Sequence, residues 1–407
     1  MPEAVKWRGG GVAPCFSLSH EAYAAEDDVA VVRRRQLFSC TLMSSVPSAP
    51  PPSATPPLRR PATGWRHLVL VYLLALGVLA GPAYTMYVHY DFSHSLDTRS
   101  YLSMARGEFE GVSVTRRYRV LVPAVAGAVA WPLEQVYARL WPQRAASEWP
   151  LRLAFYVVNT ALLAAAGVVL FRTCVLYEAS AAAAALAVVA VLCSRWAVYT
   201  AGLPLVDSLY VLVLALAFYG VRAGSAGALA AALVLGPLAK ESFVFVVPWL
   251  LAFGRRALPW PRQLGWLAVG GALALGVRQW IDAHLGAPPT ASVVNALNHV
   301  ENVGYSLRRL LSAKGVGELF SVFGFFWLAL LAARRQWRAA VGAPGAGLAA
   351  VVLVHMLLSG DLGRMGYLAA PVFAVAFATV LTQQPWLRSG APVQLLGPAP
   401  VEPPVEK

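Results

Sequence analysis

Residues 66–88 read RHLVLVYLLALGVLAGPAYTMYV, and from Leu68 onward this stretch holds no Asp, Glu, Lys or Arg. A helix crossing about 30 Å of hydrocarbon needs roughly 20 apolar residues, and this stretch supplies them. Further apolar blocks occupy 119–141, 151–173, 179–199, 203–221, 226–254, 264–281, 316–333, 343–360 and 364–382. Of 407 residues, 58% are apolar and only 13% charged, which leaves too little polar surface to cover a soluble fold. The sequence therefore predicts an all-α, polytopic transmembrane helix bundle over 65–384, with about 10–11 helices at one per block.

On the N-terminal side, residues 1–64 lack sustained apolar periodicity, and VPSAPPPSATPPLRRP (46–61) is too rich in proline to build a packed core. We expect a disordered cytoplasmic tail, with Met43 as the true start because a more ordinary Ser/Pro-rich leader opens there. The first apolar block then serves as a retained anchor and not a cleaved signal. Residues 385–407 read as a second disordered tail.

The formal charge of +13 comes from Lys and Arg spread through short loops, which points to topology and anionic membrane lipid and away from nucleic acid. Positive-inside counting places Arg59, Arg60 and Arg66, Arg255, Arg256 and Arg262, and Arg334, Arg335 and Arg338 in the cytoplasm of a cell whose inner (plasma) membrane the chain would cross repeatedly. The polar loops 89–118 and 282–315, and the turn 360–364, then lie outside. Cys15, Cys40, Cys174 and Cys193 form no CxxC pair and sit beside no His cluster, so neither a disulfide framework nor a zinc site is expected.

The middle of the chain counts less simply. Block 226–254 carries Lys240 and Glu241 at its centre beside Gly236 and Pro237, where a charge pair is costly unless it meets water or a partner. Two short helices meeting at an outer turn resolve this and place Asp207 outside as well. That choice needs an even number of crossings where three blocks lie, so one of them, 119–141 with Pro123 and Pro132, is expected to be re-entrant or broken. A second helix lying on the outer surface is expected over 291–311.

The first outer loop, YDFSHSLDTRSYLSMARGEFEGVSVTRRYRVLVP (90–123), concentrates two Asp, two Glu, five Arg and one His. Asp97, Tyr101 and Ala105 share one face at i, i+4 spacing and Gly107 supplies a stop, so 97–106 reads as a short interfacial helix with Asp97 at its start.

A carboxylate just after the first membrane helix, followed at i, i+4 spacing by an aromatic and then a small residue (Asp97, Tyr101, Ala105), resembles the first-loop signature of the GT-C membrane glycosyltransferases. YRVLVP (118–123) resembles the element by which that loop enters the next helix. GLPLVDSLYVLVLALAFYG resembles the family's second acidic element, with Asp207, and LGPLAKESFVFVVPWLL its Lys-bearing outer turn. GDLGRMGYLAAPVF carries the DxxR-then-Pro pattern of several bacterial members. The acidic pair often contiguous in that family is absent, since Thr98 follows Asp97.

The resemblance implies an inverting transferase that moves a sugar from a polyprenyl-phosphate donor to a glycan, lipid or protein acceptor on the outer side. No GxGxxG fingerprint or P-loop is present, as befits a donor without a nucleotide. Such transfer needs a base for the acceptor hydroxyl, for which Asp97 is the first candidate and Asp91 the second. It also needs cations for the departing phosphate, with Arg116, Arg117, Arg119, Lys240 and Arg364 as candidates. Asp207, Glu241 and Asp361 would orient those cations or hold a divalent ion such as Mg or Mn through oxygen. Tyr101 and Tyr118 complete the candidate site. Each residue also has a structural alternative: snorkelling to headgroups for the arginines, mutual neutralisation for Lys240 with Glu241, and a plain ion pair for Asp361 with Arg364. The competing functions are a membrane transporter, and a lipid-linked surface-polysaccharide polymerase or ligase.

Overall fold

The computed structural model describes residues 64–91, 95–286 and 293–384, and all regular structure within them is helical. The expected tails, with Met43, lie outside the described residues apart from Gly64. In chain order the α-helices begin with α1 (Trp65–His89), α2 (Leu96–Ala105), α3 (Val114–Arg117), α4 (Leu121–Leu140), α5 (Pro142–Ala145) and α6 (Trp149–Leu176). The middle of the chain adds α7 (Ala181–Leu192), α8 (Arg195–Gly202), α9 (Asp207–Ala223), α10 (Ala226–Ala239), α11 (Val247–Phe253) and α12 (Trp260–Leu285). The last third holds α13 (Val293–Leu310), α14 (Ala313–Phe323), α15 (Phe326–Ala332), α16 (Arg334–Ser359), α17 (Leu362–Gly366) and α18 (Ala370–Thr382).

Among the described residues five spans are long and apolar enough to cross a membrane: α1, α6, α12, α16 and the run Leu362–Thr382. Two sharply bent pairs, α7 with α8 and α14 with α15, raise the number to seven if each is one crossing. This stands against the ten or eleven expected from blocks. The difference lies where apolar composition does not translate into a long apolar helix. Block 226–254 is cut at Lys240, α9 spans only 17 residues, and α4 carries Glu134 and Arg139 near its end. Residues 119–141, expected to be re-entrant or broken, form one unbroken helix from Leu121 with Pro132 inside it.

α6 packs on α1, α4 and α9 and also touches α18. The run Leu362–Thr382 is 78% buried over its most apolar stretch, whereas α12 is 11% buried over its own. An apolar helix left outside the protein core is stable only in an apolar solvent, and exposed Trp131, Leu70 and Leu331 repeat the pattern on other helices. A multi-pass helical bundle in lipid satisfies these surfaces. The Ala-rich start of α7 buries Ala183, Ala184 and Ala187 completely, as expected for close helix packing through small side chains.

Two local devices set up the site. Buried Asn159 on α6 donates from Nδ2 to the Leu203 and Leu205 carbonyls at 2.9 and 3.0 Å and accepts from the Ser208 hydroxyl at 2.5 Å. Every hydrogen-bonding function of that amide except one lone pair is thereby used, and the extended entry to α9 is pinned so that Asp207 opens the helix. In the second device α10, with Pro237 in its last turn, gives way at Lys240 to extended backbone and a 3₁₀ turn, Glu241–Phe245, before α11. The expected pair of short helices is what forms, and the break presents Lys240 and Glu241 to different partners.

Candidate functional site

Asp97 sits in the first turn of α2, whose N-cap Ser95 accepts from the Thr98 amide. A carboxylate there is favoured by the unsatisfied amides of the helix start. Its Oδ1 accepts from Nε of Arg116, which also donates to Ser113 Oγ at 2.8 Å, and its Oδ2 accepts from Arg364 Nη1 at 2.7 Å. Burial alone would raise the Asp97 pKa, but the flanking Arg364 and Arg116 outweigh it and hold the carboxyl below its ordinary range. Asp97 is thus a firmly ionised group of reduced basicity while both arginines are in place.

Arg364 joins three acids. Besides Asp97 it lies 3.7 Å from Asp207 Oδ2 and 3.1 Å from Asp361 Oδ2, and Asp361 caps α17 by accepting from the Arg364 amide at 3.0 Å. The other oxygen of Asp207 accepts from Lys240 Nζ at 3.1 Å. The series Arg116–Asp97–Arg364–Asp207–Lys240 therefore alternates in charge. It draws on α3, α2, α17, α9 and the break after α10. A second branch runs beside it: Arg119 donates to Glu241 at 3.0 Å and to the buried Tyr101 hydroxyl at 3.3 Å, and Arg278 of α12 approaches Glu241 at 3.8 Å. Against four carboxylates (Asp97, Asp207, Glu241, Asp361) stand five cations (Arg116, Arg119, Lys240, Arg278, Arg364), a balance of one positive charge.

The cluster is graded in depth. The side chains of Asp207 and Lys240 are 7% and 9% exposed, whereas those of Asp97, Arg116 and Arg364 are 21 to 25% exposed. The inner pair is sealed from a ligand; the outer three are within reach of one.

The structure thus brings together Asp97, Tyr101, Arg116, Arg119, Asp207, Lys240, Glu241, Asp361 and Arg364. It places three candidates elsewhere. Arg117 turns to the C-terminal end of α12, donating to the Leu285 and Gly286 carbonyls at 3.2 and 2.6 Å, and Tyr118 donates to Asp282 at 3.0 Å. Together they latch the first loop to α12. Asp91 stands exposed just after α1, where its charge acts on Arg152 of α6. Lys240 and Glu241 do not neutralise each other; each has its own partner across the bundle. The surface helix expected over 291–311 forms as α13, and it docks on the end of α16, where Asn302 donates to the Leu358 carbonyl at 3.2 Å.

Sequence reading missed Arg278, Asp282 and Asn159. A charge near the end of an apolar block was the available signal for the first two; nothing in the sequence marked Asn159. Among the described residues no three His, Cys, Asp or Glu converge as a metal site, and every carboxylate of the cluster is already held by Arg or Lys. That donor set does not fit the divalent ion considered from sequence, and no step below is routed through one. No family model, no curated protein and no solved structure matches this chain.

Proposed function

We propose that this protein is an integral membrane glycosyltransferase of the GT-C type, transferring a sugar from a polyprenyl-phosphate donor to an acceptor on the outer side of the membrane with inversion. The observation that carries the reading is the Asp97 carboxylate clasped by Arg116 and Arg364 at the partly open end of a charge-alternating series. A carboxylate and guanidinium groups within one hydrogen bond of each other are what a displacement at a sugar phosphate requires.

The lipid phosphate would bind the outer arginines, which match its oxygens in bidentate fashion. As the phosphate draws Arg116 and Arg364 toward itself, the suppression of Asp97's basicity is relieved. Asp97 then accepts the proton of the acceptor hydroxyl while that oxygen bonds to the anomeric carbon. The bond from that carbon to the phosphate oxygen breaks, and its electron pair leaves with the polyprenyl phosphate, whose charge the arginines neutralise. Attack opposite to the leaving group inverts the centre. The sealed Asp207–Lys240 pair positions Arg364 from below.

The rival reading is a transporter, favoured by the buried Asp207–Lys240 pair at an interrupted helix. The test separates the two: protein in nanodiscs is offered a panel of radiolabelled polyprenyl-phosphate sugars and membrane-derived acceptors, and release of label from the lipid is measured. Turnover supports transfer. Uptake of free solute into proteoliposomes, with no donor consumed across the panel, overturns it.

A further inference from the structure

Two helix breaks meet at one place. α7 and α8 are bent by 64° across Cys193 and Ser194, and α14 and α15 by 93° across Gly324 and Phe325. Gly324 adopts φ +57 with ψ −140, a conformation that side-chain-bearing residues rarely take, so the second bend depends on glycine. Between the breaks lies a groove of about 290 Å³ walled by Ala190, Val322, Phe323, Phe325 and Phe326, with Cys193 on its edge. Beside it opens a polar cavity of about 500 Å³ lined by Trp196, Asn302, Tyr305 and Asp361 and by the Arg309–Glu318 ion pair. Arg195 lines both.

Arg195 differs from the cations of the site already described. Arg116, Arg119, Lys240 and Arg364 each have a carboxylate partner, as does Arg309 in the cavity. Among the described residues no carboxylate lies within ion-pair distance of Arg195; its guanidinium stands 5.6 Å from the neighbouring Trp196 ring. A guanidinium without a counter-charge at the seam between an apolar groove and a polar cavity suits an anion carrying an apolar chain. At about 30 Å³ per water-sized group, the groove has room for roughly ten chain carbons.

We propose that Arg195 receives the phosphate of a single-chain isoprenoid lipid whose first units lie in the Phe-lined groove, with the headgroup in the cavity lined by Asp361, as a waiting site from which the carrier phosphate passes to Arg116 and Arg364. The inference deepens the function proposed above and rests on it for the identity of the lipid as the sugar carrier. The headgroup would then wait beside Asp361, the partner of Arg364, next to the cluster in which the transfer takes place.

Cys193 offers a readout at the groove edge once Cys15 and Cys40 are replaced by serine, since the remaining Cys174 is buried. Maleimide labelling of Cys193 in detergent-solubilised protein is followed against farnesyl phosphate, farnesol and phosphatidylglycerol. Farnesyl phosphate should slow labelling at lower concentration than farnesol. Arg195→Gln should weaken its protection by about tenfold or more, as expected on losing a charge-assisted contact, with Arg195→Lys in between. Equal protection by farnesol in the unaltered Arg195 protein, undiminished protection in Arg195→Gln, or displacement by equimolar phosphatidylglycerol would each overturn the site. Asp97→Asn should leave protection unchanged. If Arg195-dependent protection persists while no sugar donor is ever turned over, the transferase reading fails and the lipid-phosphate site stands.

Discussion

The sealed pair Asp207–Lys240 predicts an asymmetry between its two truncations. Asp207→Leu leaves Lys240 charged and buried with Arg364 and Arg119 as its charged neighbours, both of its own sign. Breaking a buried pair in this way costs about 3–5 kcal/mol. Lys240→Met leaves Asp207 with Arg364 at 3.7 Å, so the carboxylate keeps a counter-charge and the cost falls to about 1.5–3 kcal/mol, that of one hydrogen bond to a charged group. The double variant removes both charges from the interior and should be more stable than Asp207→Leu alone. Equilibrium unfolding in mixed micelles with increasing dodecyl sulfate, followed by tryptophan fluorescence and circular dichroism, gives all four corners of the cycle. Strict additivity of the two single costs, or Asp207→Leu no more harmful than Lys240→Met, would show that the two side chains do not form the coupled pair described here.

Other variants probe the rest of the site. Because Arg364 and Arg116 depress the Asp97 pKa, its contribution to stability is full above the ordinary carboxylate range and is lost as pH falls through the depressed value. Arg116→Gln should raise that value, so both acid unfolding and the acid limb of the transfer rate should move to higher pH; an unmoved limb would detach Arg116 from Asp97. Asn159→Leu strands the Leu205 carbonyl and the Ser208 hydroxyl and leaves the Leu203 carbonyl only the Leu205 amide, at about 1–3 kcal/mol for an unsatisfied buried group, and should lower transfer further by loosening Asp207. Transfer at the original rate in a folded Asn159→Leu protein would deny it that positioning role. Gly363→Ala places a methyl 2.4 Å from the Trp196 ring, so the indole must move, at about 1–3 kcal/mol of overpacking. Farnesyl phosphate protection should weaken in this variant, and unaltered protection would show that the indole does not shape the cavity.

Local signals in the sequence were read accurately where the chemistry is local. The i, i+4 spacing from Asp97 to Tyr101 to Ala105, with Gly107 beyond, marks a helix whose observed range is Leu96–Ala105. Gly236 and Pro237 before Lys240 mark an interruption that is present. What periodicity cannot convey is which residues meet across the bundle. Arg364 lies 267 positions from Asp97, and only the packing of α17 against the cluster brings them within 2.7 Å. For the same reason adjacency offers Glu241 as a neutralising alternative for Lys240, whereas its partner is Asp207 on another helix. Arg116 and Arg117 are adjacent and equally basic, yet the last turn of α3 sends one to Asp97 and the other to the end of α12. Block length also overstates the number of long apolar helices, because 203–221 and 226–254 are apolar for burial in the bundle as well.

The central claim, that Asp97 is the base of a sugar transfer whose phosphate is held by the arginines around it, is tested most directly by a single-turnover measurement in nanodiscs. Donor labelled in the sugar is mixed with excess protein and acceptor, and bound and transferred label are separated. Asp97→Asn should bind donor as the wild type does and transfer it slower by 10²-fold or more, at the lower bound of about 10²–10⁴ for losing a general base. Transfer by Asp97→Asn at the wild-type rate would contradict the account.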